Sequence, residues 1–365
     1  MFAGGGTVGI ESSILDRNSI LIDINPLLSE IVNIKTYNEN LDENKINQDM
    51  ELILNSTNDI FIPDWNNITH WYNEDILNIL GKLWDNFYNN KNKLNYPLIL
   101  KFALLYISRV FSYADDGVPK LYKSKSKIKK IEQLINNNLF LEELIKEKMI
   151  ERVYFISKSI EELRSITGNK KLLNPKTIIQ DSYQYSIEFS KDNSIEIDCI
   201  LTSPPYLQAQ EYVRSIKLDL YWHGYNDKQI RELSKLEIPY RKLPDNYRIE
   251  CKLLKEFKQK IGFEEMPLKD KKIFDSYFYY IFNTINNYSK NLKKNGKLCI
   301  FVGSPSFKGY NVSIWEFLID YFLEKGFNIE EVFADPIVSR KLANNRKNNN
   351  PNGMKYEYLI ILNKI

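Results

Sequence analysis

A proline pair directly after an apolar run is the feature that most restricts how this chain can fold. Residues 195–201 are largely apolar, and Pro204 and Pro205 follow shortly after them. Because proline has no backbone N–H, it cannot continue a central strand of a sheet. The run therefore predicts a buried strand that stops just before the prolines, with a rigid turn at its carboxyl end.

The first 36 residues have the pattern of an open α/β unit. A glycine loop at 2–7 precedes a helical pattern up to about Leu15, and an apolar run at 19–23 ends in a carboxylate. Asn25-Pro26 then begins a second helix, because proline suits the first helical turn. Loop, helix, strand and helix in this order predict the middle of a doubly wound α/β sheet.

The start of the chain departs from this pattern. A glycine loop of this kind normally follows a strand, and only Met1 stands before the loop here. We therefore expect the first, central strand of the sheet to be absent from this sequence, as in a truncated, split or mis-started reading frame.

The chain divides into two kinds of sequence. Residues 37–171 are rich in Asn, Lys and Glu, and apolar residues recur there at helical spacing in the segments 71–84, 96–111, 128–139 and 141–166. We predict a mainly helical insertion at 37–171. Residues 1–36 and 172–365 then form a discontinuous α/β core, in which 327–333 and 356–362 make a closing antiparallel hairpin.

Composition restricts the function in several ways. Lys plus Arg number 50 and Asp plus Glu 47, a net charge of +3, so any nucleic-acid surface must be local. Two histidines argue against a His-based metal site, and we predict no metal. Three cysteines without a CxxC pair favour a reduced, intracellular protein. The sequence has no signal-peptide or membrane-span pattern, so we expect a cytoplasmic location and no membrane partner.

Residues 202–206, Thr-Ser-Pro-Pro-Tyr, offer the groups that an exocyclic amine requires. The hydroxyl of Ser203 and the carbonyls of Ser203 and Pro204 can accept its hydrogens, and Tyr206 can stack on a base that has left the duplex. An amine held this way needs mainly correct positioning to accept a methyl group. The alternative is a plain turn that ends the strand.

The glycine loop is less specific. Three consecutive glycines let the backbone approach a dinucleotide, a phosphate or S-adenosylmethionine, and the same pattern also occurs in turns that only cap a helix. Asp23, at the end of the next strand, is placed to accept hydrogen bonds from ribose hydroxyls. Its alternative role is to cap the following helix.

Together the two motifs resemble those of TSPPY-type DNA amino-methyltransferases, the family of N4-cytosine and N6-adenine DNA methylases. The resemblance covers somewhat over half the chain, and position 5 is Gly where many members have Ser. It implies a Rossmann-like sheet that binds S-adenosyl-L-methionine as the cofactor. It also implies catalytic roles for Thr202, Ser203, Pro204, Pro205 and Tyr206, and cofactor binding by Phe2, Ala3, Gly4, Gly5, Gly6, Thr7, Asp23, Asn25 and Asp181.

The implied reaction is methyl transfer to an exocyclic amine of a flipped base in site-specific DNA methylation, within a restriction-modification system. The Ser form of the motif occurs mostly in cytosine-N4 enzymes of this family, so we favour cytosine N4 over adenine N6. Methylation of cytosine C5 is disfavoured, because no cysteine here follows a proline. An RNA or protein-glutamine methyltransferase, and an inactive or split-subunit DNA-binding fragment, stay open as alternatives.

The order of the motifs resembles the class whose target-recognition region lies between them, so 37–171 is the candidate region. The candidates for DNA contact are Lys120, Tyr122, Lys123, Lys125, Arg214, Lys217, Arg340 and Arg346. A solvated lysine loop is the alternative for 120–127. The expected partners are double-stranded DNA and either a fragment encoded upstream or a cognate restriction endonuclease.

Overall fold

The computed structural model describes residues 1–55, 59–117, 120–137, 140–207, 212–238, 241–338 and 354–365. Its architecture is mixed α/β, with many helices around a mixed sheet. The helices are α1 Thr7–Ile14, α2 Leu28–Lys35, α3 Glu43–Leu54, α4 Ile68–Trp71, α5 Glu74–Asn90, α6 Pro97–Val110, α7 Lys125–Asn137, α8 Leu141–Ile166, α9 Ser182–Phe189, α10 Tyr212–Trp222, α11 Asp227–Lys235, α12 Lys252–Lys260, α13 Leu268–Ser289 and α14 Ile314–Leu323, with a 3₁₀ turn at Phe263–Glu265. The strands are β1 Ile20–Asp23, β2 Lys176–Ile179, β3 Ile197–Thr202, β4 Leu292–Gly303, β5 Ser306–Phe307, β6 Tyr310–Asn311, β7 Phe327–Pro336 and β8 Tyr356–Lys364.

The main strands form two hydrogen-bonded groups. β1 pairs in parallel with β2, and a four-stranded sheet has the order β3-β4-β8-β7. Within it β3 and β4 are parallel, whereas β8 is antiparallel to both β4 and β7. The strand predicted before the proline pair is present as β3, and the predicted closing hairpin is present as β7 and β8.

The first residues of the chain connect these two groups of strands. The N–H of Ala3 donates to the carbonyl of Ile22 in β1 over 3.2 Å. The hydroxyl of Thr202, the last residue of β3, donates to the carbonyl of Met1 over 2.9 Å. The start of the glycine loop therefore lies between the carboxyl ends of β1 and β3.

The two faces of the four-stranded sheet have different surroundings. One face carries Leu298, Ile300 and Ile360, which are fully buried and belong to an apolar core shared with aromatic side chains of α13 and α14. The opposite face carries Leu201 and Phe333, which are 44% and 47% exposed. Burial of one face fixes the register of the strands, because a slip of one residue would expose the buried set.

A second apolar core belongs to the helices. It joins α3, α5, α6 and α8 from residues 37–171 with α10 and α11. Trp222 of α10 stacks on Trp84 of α5 at 5.7 Å, and its indole N–H donates to the hydroxyl of Tyr72 over 2.8 Å. The helices that follow the proline motif are therefore packed on the helical region, and the predicted division of the chain into core and insertion stays a prediction.

The sequence pattern predicts a helix from Ile273 to Leu292 that Asn295-Gly296 ends, and the predicted end of this helix is wrong. Asn295-Gly296 is a turn-forming pair typical of a helix end, yet α13 ends at Ser289 and the pair lies inside β4. The pairing of β3 with β4 moves from Ile197–Leu292 to Cys199–Lys297, and Asn295 has a φ of 62°. The pair therefore forms an irregularity in a strand, because the left-handed conformation that suits a helix end also suits a bulge.

Two further results concern the described ranges only. None of their helices is long and apolar enough to cross a membrane. No group of three or more His, Cys, Asp or Glu side chains in the same ranges is placed to hold a metal ion.

Candidate active site

The glycine loop is tied to the end of β1 by Asp23. One carboxylate oxygen of Asp23 accepts from the N–H of Gly4 over 2.7 Å, and the other accepts from the N–H of Asn25 over 2.8 Å. The Asn25 side chain in turn accepts from the N–H of Leu27 over 3.0 Å. Asp23 thus orders both loops at this edge, and each of its oxygens keeps further acceptor capacity for a ligand.

The glycines of the loop have separate tasks. Gly4 and Gly6 have φ of 54° and 74°, a region that favours glycine. A Cβ at Gly6 would lie 2.5 Å from Val32 Cγ2, so this position must stay bare for the loop to pack on α2. A Cβ at Gly4 or Gly5 would meet nothing within 4 Å, which leaves open space beside the loop. The loop therefore fits a ligand that lies against backbone, as the cofactor of the resemblance would.

The proline motif lies beside this loop. Thr202 is buried, and its hydrogen bond to the Met1 carbonyl joins the two motifs across 201 positions of sequence. Pro204 is buried, whereas Ser203 is exposed at the carboxyl end of β3. Open α/β sheets bind their ligands at this edge.

Tyr206 is held by two residues that the sequence analysis missed. Its hydroxyl donates to Glu357 of β8 over 2.5 Å, and burial, together with this carboxylate, raises the pKa of Tyr206. A Cβ at Gly303 would lie 3.3 Å from Tyr206 Cε2 and 2.6 Å from Met354 Sδ. The ring therefore packs against the bare end of β4, and the hydroxyl stays protonated as a donor. No local pattern marks Glu357 or Gly303, because both contacts are long-range.

Two buried hydroxyls lie near the motif. Tyr277 of α13 is fully buried, and proximity to Tyr206 and Tyr212 adds to the effect of burial in raising its pKa. Among the described residues, neither its hydroxyl nor the buried hydroxyl of Ser304, next to Gly303, has a hydrogen-bond partner. Buried hydroxyls without partners are uncommon, and a bound polar ligand is one way to satisfy them.

Asp181 has partners within the chain. One of its oxygens accepts from the N–H groups of Tyr183 and Gln184 and so caps α9. The other pairs with the guanidinium of Arg241, which also lies over the rings of Tyr183 and Tyr280 at 5.2 and 4.8 Å. The contact of Asp181 with the adenine end of a cofactor stays a prediction.

The candidates for DNA contact are scattered. Tyr122 and Lys125 are exposed, whereas Lys123 lies over the ring of Tyr113 at 4.9 Å. The partly buried Lys120 is in the same loop. Arg340 and Arg346 lie outside the described residues.

Arg214 and Lys217 share a cleft, which we call the basic cleft. Its volume is about 600 Å³, and its walls come from α4 and the residues just before it, from the loop at Leu121, and from α10 to Glu237. It is lined by Trp65, Asn67, His70, Trp71, Leu121, Val213, Arg214, Lys217, Asp227, Ile230, Arg231, Ser234 and Glu237.

Comparison with known proteins shows similarity to methyltransferases. No family model matches the chain, and no solved structure matches it. The chain is 27% identical over 266 residues to the type II methyltransferase M.BsoBI of Geobacillus stearothermophilus, an alignment that covers 65% of this chain and 49% of that protein. It is 28% identical over 156 residues to the type II methyltransferase M.AvaI of Nostoc sp. (strain PCC 7120) and to M.AvaI of Anabaena variabilis, with 38% of this chain and 32% of each relative covered. The chain therefore spans half or less of the length of these relatives, and its similarity to them supports a methyltransferase.

Proposed function

We propose that this chain is an S-adenosylmethionine-dependent DNA methyltransferase that methylates an exocyclic amino group, the N4 of cytosine, at specific sites. The observation that carries the proposal is the hydrogen bond from Thr202 to the Met1 carbonyl, because it puts the Thr-Ser-Pro-Pro-Tyr motif beside the glycine loop. The similarity to type II methyltransferases supports the same reaction class.

The donor side of the site consists of the glycine loop and Asp23 on a Rossmann-like sheet. The open space at Gly4 and Gly5 accommodates the cofactor against bare backbone. The carboxylate of Asp23 is already oriented by Gly4 and Asn25, so it can accept from ribose hydroxyls without rearranging. When bound, S-adenosylmethionine supplies an electrophilic methyl group on a positively charged sulfur.

The acceptor side consists of Ser203, the proline carbonyls and Tyr206. The exposed hydroxyl of Ser203 and the carbonyls of Ser203 and Pro204 accept the hydrogens of the amine. The face of Tyr206, oriented by Glu357, stacks on a base that has left the duplex. Held in this way, the amine would direct its nitrogen lone pair at the methyl group that bound S-adenosylmethionine would supply, and the nitrogen would give up one proton to an acceptor oxygen or to water. This reaction needs positioning and no covalent intermediate.

The choice of base depends on the Ser form of the motif. Cytosine N4 and adenine N6 are both exocyclic amines, so the same contacts can hold either one. Adenine N6 is therefore the second candidate. The expected partners are double-stranded DNA and a restriction endonuclease that cuts the same sequence.

The test is to express the chain in a host that lacks DNA methylation and to digest its DNA to nucleosides. Mass spectrometry should find N4-methylcytosine with the wild-type chain and none with Ser203→Ala. If N6-methyladenine is found in place of N4-methylcytosine, adenine N6 is the methylated amine. The proposal would be overturned if the protein is folded and binds S-adenosylmethionine but the host DNA contains no methylated base.

A further inference from the structure

The basic cleft has no part in the proposed reaction, although it joins several charged and aromatic side chains. Its volume of about 600 Å³ is within the range of roughly 300 to 1,000 Å³ typical of ligand pockets. Three separate parts of the chain meet there, namely α4, the loop at Leu121 and the helices α10 and α11. No one of these parts predicts the cleft by itself.

One wall of the cleft is aromatic. Trp65 stacks on Tyr221 at 4.2 Å with an interplanar angle of 7°, and on Trp71 at 5.8 Å and 21°. His70 contacts Trp71 edge-on at 5.2 Å, and both of these side chains keep exposed surface at the cleft. Parallel rings packed in this way form a rigid surface against which a nucleobase can stack.

The other wall is cationic. Arg214, Lys217 and Arg231 all line the cleft, and the ammonium of Lys217 lies 5.4 Å from the Trp65 ring centre. Burial lowers the pKa of Lys217, and the charges of Arg214 and Arg231 add to this effect against the opposing effect of Asp227. Lys217 therefore lies close enough to Arg214 and Arg231 to be repelled by both, and an anion bound beside it would offset this repulsion.

The carboxylates of the cleft have partners inside the protein. Asp227 accepts from the hydroxyl of Tyr221, and Glu237 accepts from the N–H of Val213 over 2.9 Å. These contacts hold α10 and α11 together. The two acidic side chains therefore help to hold the walls of the cleft together, and they line it with the three cations.

The cleft is close to the proposed active site. α10 begins at Tyr212, whose pKa is raised by burial and by the nearby charge of Asp23, and Tyr212 in turn adds to the effect of burial and Glu357 in raising the pKa of Tyr206. Lys217 lies five residues further along the helix, about 7.5 Å along its axis at 1.5 Å per residue. That distance is about two base-pair steps of duplex DNA at 3.4 Å each.

We propose that the basic cleft binds the DNA strand next to the flipped base, with a phosphodiester between Arg214, Lys217 and Arg231 and a neighbouring nucleotide against Trp71. This inference rests on the proposed function and adds to it the surface that grips the substrate. The cleft couples charge with stacking, as surfaces that bind unstacked nucleic acid do.

The experiment measures binding of fluorescent 30-base-pair duplexes of randomised sequence by anisotropy over a series of salt concentrations. Lys217→Gln/Arg231→Gln should weaken binding at least tenfold and lower the slope of log K against log salt by about 1, since each phosphate that is no longer neutralised removes about 0.9. Trp71→Ala should weaken binding about tenfold without changing the slope, because stacking involves no counterion. Lys228→Gln, on the same helix α11 but outside the cleft, is the matched control and should stay within twofold of wild type.

Three outcomes overturn the inference. Wild-type protein that binds no duplex overturns it together with the proposed function. Wild-type protein that binds duplex while the double variant keeps the same affinity and slope overturns the cleft alone. A double variant that loses affinity for free AMP but not for duplex would make the cleft a nucleotide site instead.

Discussion

The proposed active site and the basic cleft are built in opposite ways. The proposed active site consists mainly of backbone, namely glycines, backbone carbonyls and strand ends. A few side chains, such as Asp23 and Thr202, order this backbone. The cleft consists of side chains, because aromatic, apolar and charged residues from three distant segments line it. Backbone geometry follows from short motifs, whereas a side-chain surface depends on how the helices pack. The first site should therefore respond sharply to single substitutions, and the second in a graded way.

The largest effect is expected at the proline motif. Ser203→Ala and Tyr206→Ala should each lower methyl transfer at least about 100-fold, because the amine loses an acceptor or the base its stacking surface. Affinity for S-adenosylmethionine, measured by calorimetry, should stay within about twofold. Ser165→Ala, at an exposed position of α8, is the control. If either variant keeps wild-type turnover, the proposed active site does not respond more sharply to single substitutions than the basic cleft does.

The second effect concerns the donor side. Asp23→Ala should weaken S-adenosylmethionine binding about tenfold or more, since the variant loses both the ties to Gly4 and Asn25 and the acceptor for the ribose. Asp75→Ala, exposed in the first turn of α5, should leave the affinity unchanged. Unchanged affinity in Asp23→Ala would reduce this carboxylate to a purely structural role in ordering the loops.

A smaller effect is expected from Glu357→Gln. The amide side chain can still accept the hydroxyl of Tyr206, but with a neutral oxygen in place of a charged one, so the ring is held less firmly. Methyl transfer should fall roughly three- to tenfold with little change in cofactor affinity. Tyr206→Phe should behave in the same way, and full activity in both variants would show that packing on Gly303 is enough to orient the ring.

The smallest effect concerns stability. Burial raises the pKa of Asp219 in α10 to about 6, against the opposing effect of Arg109, whereas an unfolded Asp has a pKa of about 3.9. The folded state therefore binds this proton more tightly, and the stability it contributes at low pH is lost as the pH rises from about 4 to 6. Asp219→Asn should raise Tm by about 2–4 °C at pH 8 and have little effect near pH 4, measured by thermal denaturation. An equal change at both pH values would mean that ionisation is not involved.

Many elements could be predicted from local pattern. The apolar runs at β1 and β3, the glycine loop before α1 and the long helices α6 and α8 are all present near their predicted positions. Asn295-Gly296 was misplaced because a left-handed pair fits a helix end and a bulge equally well. The packing of α10 and α11 on the helical core was not predicted, since no local pattern in those helices indicates which surface they contact.

By itself the sequence determined where strands must stop and where the backbone must lack a side chain, and it predicted which residues hold an amine and a methyl donor. These properties follow from single residues, because proline lacks a donor and glycine lacks a Cβ. Only the tertiary structure decided that Glu357 orients Tyr206, that Thr202 reaches Met1, and that Trp71 lines the same cleft as the cations of α10 and α11. Each of these contacts joins residues far apart in sequence, so strand register and helix packing set it, and no local pattern records them. The proline motif therefore predicts the chemistry, while packing determines what surrounds the motif.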